Sequence, residues 1–168
     1  MFILAQVFGT LMLIVNVLAM QMKDKKNIIF MLLLANLFAV FNFIFLKGYS
    51  GAIICGFAII QTIINNFYEK KGKKLPFPLL MIFIIISIIL GLFTFKNIID
   101  ILPIICSVLY SLIIVQNKER IIRILSLINI ILWLIYDFCF LAYVAAISDI
   151  LVVASTLIGM YRFDFKKN

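Results

Sequence analysis

The chain has no histidine, and its 168 residues include only three cysteines and one tryptophan. Without histidine, imidazole acid–base catalysis and histidine ligation of metals or haem are excluded. Cys55, Cys106 and Cys139 fall in separate apolar segments and form no CxxC pair, so a redox relay and a zinc site lack support. A glycine-rich phosphate loop is also missing, which argues against ATP-driven chemistry by this chain alone. These absences predict a protein that is not an enzyme and holds neither a cofactor nor a metal.

Charged residues are scarce as well. They make up 13% of the sequence, whereas hydrophobic residues make up 66% and the mean hydropathy is +1.25. Soluble domains have about 45–50% apolar and 25% charged residues. The composition therefore predicts an all-α polytopic membrane protein, with residues 1–168 forming one transmembrane domain in the lipid bilayer. The formal net charge of +8 does not indicate a nucleic-acid partner, because the positive residues lie at the ends of apolar segments and form no basic domain.

Seven apolar segments are long enough to cross a bilayer. We predict transmembrane helices over residues 1–22, 27–46, 51–68, 77–95, 98–115, 121–141 and 142–161. The last two form one apolar run about two bilayer lengths long, so the boundary at 141–142 is the least marked. The first segment is not expected to be a cleaved leader, because its positive residues follow the apolar stretch instead of preceding it.

Positive residues alternate in a regular way along this arrangement. Every second connection is basic, and 13 of the 15 lysines and arginines lie in segments 23–26, 70–74, 118–123 and 162–167. Lys47 and Lys96 fall on the opposite side. Because cytoplasmic loops are enriched in lysine and arginine, we predict seven helices with the N-terminus outside and the C-terminus in the cytoplasm.

The seven segments divide into two triplets joined by a linker helix. Residues 1–68 and 98–161 each hold three segments, and residues 77–95 form the linker. A shift of 93 residues superposes 27–69 on 120–162 without a gap and aligns Asn36 with Asn129. Since one linker helix makes both triplets start on the same side, we predict parallel triplet repeats in a 3+1+3 layout.

A stripe of polar and aromatic residues marks the candidate site. Asn129, Trp133 and Asp137 are spaced four apart and share one helix face, with Tyr136 at its margin. A charged carboxylate at the centre of a membrane costs at least about 2.5–3.5 kcal/mol, so such residues usually face a bundle interior or a wet cavity. We therefore expect this face to line a solute pathway.

Three residues elsewhere complete the candidate site. At about 1.5 Å of rise per residue, Asn36 and Asn129 each lie about 12 Å into their helices, near the middle of the bilayer. Asp149 lies at a depth similar to that of Asp137 on the neighbouring helix, so the two carboxylates could meet and share a proton. Pro103 lacks the amide hydrogen of one intrahelical bond and could act as a hinge.

Each of these residues also has a structural interpretation. The asparagines could simply join helices by hydrogen bonds, and Trp133 could be a packing residue or an interface anchor. The two carboxylates could pair with Lys47 or Lys96 near the outer surface. Polar residues near the end of the third segment, Gln61, Asn65 and Asn66, could cap a helix.

Two functions fit this pattern. The first is a small-solute transporter or facilitator that works by alternating access around a mid-membrane polar site. Paired carboxylates would suit proton coupling or a small polar or cationic solute. The alternative is a non-transporting membrane protein that acts as an assembly, immunity or regulatory partner. A chain of this size could work alone or as a homo-oligomer.

Two stretches of the sequence resemble a known group. The motifs QVFGTLMLIVNVLAMQMKDKK, ILSLINIILWLIYD and DILVVASTLIGMYRF are similar to the YgjV family of bacterial inner-membrane proteins. More distantly, the 3+1+3 layout and the pattern of Asn129, Trp133 and Tyr136 resemble SWEET, SemiSWEET and PQ-loop sugar transporters. The resemblance implies a bacterial inner-membrane location and substrate contacts at Asn129, Trp133 and Asn36. The proline hinge of the first helix in those transporters has a counterpart here only in Pro103.

Overall fold

A computed structural model describes residues 2–46, 49–95, 97–139 and 143–165. Over these ranges the chain forms seven α-helices and no strand, as the sequence predicts: α1 Phe2–Met20, α2 Lys25–Phe45, α3 Tyr49–Lys70, α4 Phe77–Thr94, α5 Ile101–Val115, α6 Glu119–Cys139 and α7 Tyr143–Met160. A 3-10 turn, Ile98–Asp100, precedes α5, and a π-helical turn, Tyr161–Phe165, follows α7. Lys47, Lys96 and the predicted boundary at 141–142 lie outside the described residues.

Six of these segments are long and apolar enough to cross a membrane. The remaining helix, α4, has 18 residues, near the lower end of the about 17–25 that a membrane helix needs. Its start is fixed by Pro76 and Pro78, because proline has no amide hydrogen to lose in the first turn of a helix. Gly72, with a φ of 68°, makes the turn that ends α3.

The helices pack in a ring that follows the order of the chain. α1 packs on α2 and α2 on α3, while α5 packs on α6 and α6 on α7. The ring is closed where α7 meets α1 and where α3 meets α5. α4 packs against α3 and α5 from outside, burying Phe83 and Ser87 while isoleucines on its other faces are exposed. An apolar exposed surface of this kind is suited to lipid.

The segments predicted to share one side of the membrane do meet at one end of the bundle, which we call the basic end. Lys25 ion-pairs with Glu69 and donates from its ammonium group to Asn117 Oδ1 at 3.3 Å. The backbone amide of Lys25, at the start of α2, donates to Glu119 Oε1 at 3.3 Å. Because a helix N-terminus carries partial positive charge, the Glu119 carboxylate stabilises the start of α2.

An apolar core fills the centre of the ring at the basic end. Its side chains come from α1, α2, α5 and α6 and are at most 8% exposed: Ala19, Met20, Ile28, Ile29, Leu32, Ile113, Ile114 and Ile122. This core joins the first three helices to the last three, so it closes the bundle at the end where the charges lie.

Candidate functional site

A hydrogen-bonded network at the centre of the bundle joins three helices through Tyr110 of α5. Asn36 Nδ2 on α2 donates to the Tyr110 hydroxyl at 3.0 Å and to Leu32 O at 2.8 Å. The same hydroxyl lies 2.9 Å from Thr62 Oγ1 on α3. Since Thr62 donates its own proton to Ala58 O at 2.8 Å, Tyr110 is the donor to Thr62. Each donor in this network therefore has an acceptor.

A second set of polar residues joins α3, α4 and α5 nearer the basic end. Gln61 Nε2 donates to Ser111 Oγ at 2.9 Å and to Ser87 Oγ at 3.5 Å. Asn65 Nδ2 donates to Ile114 O at 2.8 Å. Ile114 is one of the last residues of α5, whose final carbonyls have no partner within the helix. Asn65 therefore caps a helix, but the helix that it caps is α5 and not its own.

Asn129 connects α6 to α5, the helix that Asn36 also contacts. Its Nδ2 donates to Cys106 O on α5 at 2.8 Å, and the Cys106 thiol donates back to Asn129 O at 3.6 Å. Cys106 lies one helical turn before Tyr110, so the two predicted asparagines contact α5 within one turn of each other. Within the described part of the chain, the carbonyl oxygens of both asparagine side chains accept no hydrogen bond.

The aromatic and acidic residues of α6 lie farther from the basic end. The rings of Trp133 and Tyr136 contact edge to face, with centroids 5.7 Å apart. The Asp137 side chain is within hydrogen-bonding reach of Asp149 on α7. One carboxyl oxygen of Asp149, Oδ2, is buried and accepts no hydrogen bond from a donor group in the described residues.

This polar side of α6 faces away from the surface suited to lipid. Ile128, Ile131 and Ile135 are 40% to 46% exposed and form the opposite face. Trp133 and Asp137 are only partly exposed. The structure therefore gathers Asn129, Trp133, Tyr136, Asp137 and Asp149 along α6 and α7, whereas Asn36 reaches this group through α5.

Pro103 is the third residue of α5, directly after the 3-10 turn. In the first turn of a helix the amide hydrogens have no partner within the helix, so proline fits there without a kink. A hinge at Pro103 stays a prediction.

Sequence reasoning missed the role of two residues. Tyr110 is flanked by Ser107 and Ser111, and this polar run inside an apolar segment was the available signal. Arg123 was counted among the positive charges of segment 118–123, although the helix predicted over 121–141 already included it. It lies within α6 and is 1% exposed, because its guanidinium group is paired with Asp164.

Comparison with known proteins agrees with this architecture. The Imp-YgjV family model, described as a bacterial inner membrane protein, matches residues 3–167. The chain belongs to the Imp-YgjV family. No curated protein and no solved structure matches it significantly. This Imp-YgjV protein is thus a multi-pass protein of the bacterial inner membrane, as the resemblance to YgjV implied. The more distant resemblance to SWEET transporters stays a resemblance.

Proposed function

We propose that this Imp-YgjV protein is a carrier for small polar or cationic solutes. It works by alternating access around the polar site between its two helix triplets. The N-terminus is outside, and the basic end faces the cytoplasm, because the inner side of a bacterial membrane protein carries most of its lysine and arginine. The linker helix is α4.

The packing of the ring supports two related triplets. Thr62 of α3 contacts Tyr110 of α5, and Ser155 of α7 donates to Val17 O of α1 at 2.8 Å. The shift of 93 residues that superposes 27–69 on 120–162 aligns Thr62 with Ser155, and the same shift extended beyond that range places Tyr110 opposite Val17. Exchanging two related triplets would turn one contact into the other. Carriers built from such repeats move one repeat against the other around a central site.

The two ends of the bundle differ in how tightly they are closed, as expected for a carrier that is open to one side of the membrane at a time. At the basic end, an apolar core and two hydrogen bonds, from the Lys25 amide to Glu119 and from Arg123 to Met22 O, hold the triplets together. Toward the other end, Asn36, Asn129, Trp133 and Asp137 are all partly exposed. This difference supports a state that is closed toward the cytoplasm, with a polar site reachable from outside.

The chemistry of the site favours a solute that donates hydrogen bonds. The observation that carries the proposal is the closeness of the Asp137 and Asp149 carboxyl groups on the face of α6 turned away from lipid, where Asp149 Oδ2 is buried. A hydrogen bond between two carboxyl groups needs one proton shared between them. The ammonium group of a solute could take the place of that proton, or the proton itself could be the ion that is transported. The Trp133 ring adds a surface to which a cation is attracted.

A ligand screen tests this proposal. The purified full chain is subjected to thermal unfolding with a panel of amines, amino acids, sugars and quaternary ammonium ions. We expect at least one solute to stabilise it, since a ligand at a hundred times its Kd adds about 2.7 kcal/mol. Asp137→Asn and Asn129→Ala should abolish that shift and uptake into proteoliposomes. Ser107→Ala is the control, because among the described residues the Ser107 hydroxyl bonds to Ile104 O of its own helix alone.

Two outcomes would reject the proposal, the first by removing the carrier and the second by removing the site assigned to it. One is a panel without any stabilising solute, combined with Asp137→Asn and Asn129→Ala cells that keep the wild-type phenotype. The other is solute uptake that both variants leave unchanged. The first outcome would favour the assembly, immunity or regulatory partner, which co-purification from native membranes would then identify.

A further inference from the structure

A cavity of about 270 Å³ lies at the basic end, apart from the site between the triplets. It is an open depression lined by the start of α2, the end of α3 with its following turn, and the connection between α5 and α6. Its charged lining consists of Lys25, Glu69, Lys73 and Lys74. The carrier proposal makes no use of this cavity.

The cavity carries an excess of positive charge. Glu69 is already neutralised, because it ion-pairs with Lys25 and accepts from Asn65 Nδ2 at 2.9 Å. Lys73 and Lys74 are exposed, and their ammonium groups form no ion pair with any part of the chain that the structure covers. The two remaining charges therefore face a space large enough for a small anion.

The turn after α3 determines which lysines reach this cavity. The amide of Gly72 donates to Glu69 O at 2.9 Å and that of Lys73 to Tyr68 O at 3.0 Å, a tight turn that needs the positive φ of glycine. Lys73 and Lys74 follow the turn and line the cavity. Lys71 precedes it, and its ammonium group lies 4.1 Å from the centre of the Phe67 ring. Two neighbouring lysine pairs in one short segment therefore have different surroundings.

We propose that this cavity binds a phosphate-bearing anion through Lys73 and Lys74, with Lys25 behind them. Lysine ammonium groups bind phosphate as compact point charges. The anion could be the headgroup of an anionic phospholipid or a phosphate compound in solution. Leu75 lines the cavity two residues before α4 begins at Phe77, so the cavity lies where a membrane helix begins and lipid headgroups are found. This inference does not depend on the carrier proposal.

A binding comparison with matched charge variants tests the site. The full chain in a neutral detergent is titrated with phosphatidylglycerol, phosphatidylcholine, inorganic phosphate and glycerol 3-phosphate, and stabilisation against heat gives an apparent Kd. The variant Lys73→Gln/Lys74→Gln removes the two cavity lysines. Lys70→Gln/Lys71→Gln removes the same charge from the same segment and is the control. Removing two lysines that contact phosphate is expected to raise the apparent Kd about 30-fold.

We expect binding of phosphatidylglycerol but not phosphatidylcholine, with an about 30-fold loss in the cavity variant and little change in the control. Binding of phosphatidylglycerol alone identifies the lipid headgroup, whereas binding of inorganic phosphate or glycerol 3-phosphate with the same variant pattern identifies a soluble source. An absence of binding to any phosphate compound would overturn the proposal. An equal loss in both variants would also overturn it, because it would show attraction to the overall charge and not to this cavity.

Discussion

The buried pair of Arg123 and Asp164 gives the sharpest stability prediction. Arg123 Nη1 lies 2.7 Å from Asp164 Oδ1, and Nη2 donates to Met22 O at 2.7 Å. The two side chains are 1% and 6% exposed, so water screens their interaction little. One arginine therefore ties α6 both to the connection between α1 and α2 and to the turn after α7.

Replacing Arg123 and replacing Asp164 should lower the free energy of unfolding by different amounts. Arg123→Met leaves the Asp164 carboxylate buried without its cation and Met22 O without its donor, and breaking such a pair costs about 3–5 kcal/mol. We expect the lower end, about 3 kcal/mol, because Arg123 Nε and Asp164 Oδ2 already lack partners. Asp164→Asn keeps a neutral acceptor for the guanidinium group, so its cost should be smaller, about 1.5–3 kcal/mol. Arg123→Met/Asp164→Leu should lie within about 1 kcal/mol of the wild type, because no charge is left buried.

The assay is reversible unfolding of the full chain in mixed micelles of neutral detergent and dodecyl sulfate. Cys106 is 2% exposed, so in a chain whose Cys55 and Cys139 are replaced by serine the reaction of its thiol with a fluorescent maleimide reports unfolding. A loss of less than about 1 kcal/mol for Arg123→Met would refute the reasoning, since it would mean that the pair is hydrated. A double variant less stable than Arg123→Met would refute it as well.

The same assay checks three smaller effects. Gly159→Ala should lower the free energy of unfolding by about 1–3 kcal/mol, because the added Cβ would collide with Met20 O. Gly56→Ala, where an added Cβ meets nothing within 4 Å, should raise it by about 0.5–1 kcal/mol, and equal effects of the two changes would argue against the close contact of α7 with α1. Tyr110→Phe should cost about 1–3 kcal/mol because it leaves buried polar groups on two other helices without their partner, and a neutral result would contradict the network. Glu119→Gln should cost about 0.3–1 kcal/mol at low salt and less at high salt, since it removes the charge at the start of α2, and a cost that salt leaves unchanged would contradict that role.

The arrangement of the helices follows closely from the sequence. Apolar length gives the number of helices, and the alternation of basic connections gives the end at which each begins. Lys25, Glu69 and Asn117 meet at one end because an even number of crossings separates their segments. Arg123 shows the limit of this reasoning. A linear pattern assigns a positive residue at the edge of an apolar segment to water, and only the folded chain brings Asp164 beside it.

The candidate site could be predicted only in part. Helical spacing places Asn129, Trp133 and Asp137 on one face, because a period of 3.6 residues depends on the backbone alone. The partners of the asparagines could not be found in this way, since Cys106 O and the Tyr110 hydroxyl belong to another helix whose rotation is set by packing. The same holds for Asn65, which caps α5 because that helix ends beside it.

Distances between spin labels at the two ends of the bundle test the alternating-access claim directly. In a chain whose three native cysteines are replaced, one label pair stands at Lys23 and Lys118 of the basic end, and another at Ile3 and Phe138 of the opposite end. Arg123→Met/Asp164→Leu removes the hydrogen bond from Arg123 to Met22 O, which joins the triplets at the basic end, with little loss of stability. We expect this change to lengthen the first distance and shorten the second, as one triplet moves against the other. Two unchanged distances, or two that lengthen together, would contradict the alternating-access carrier.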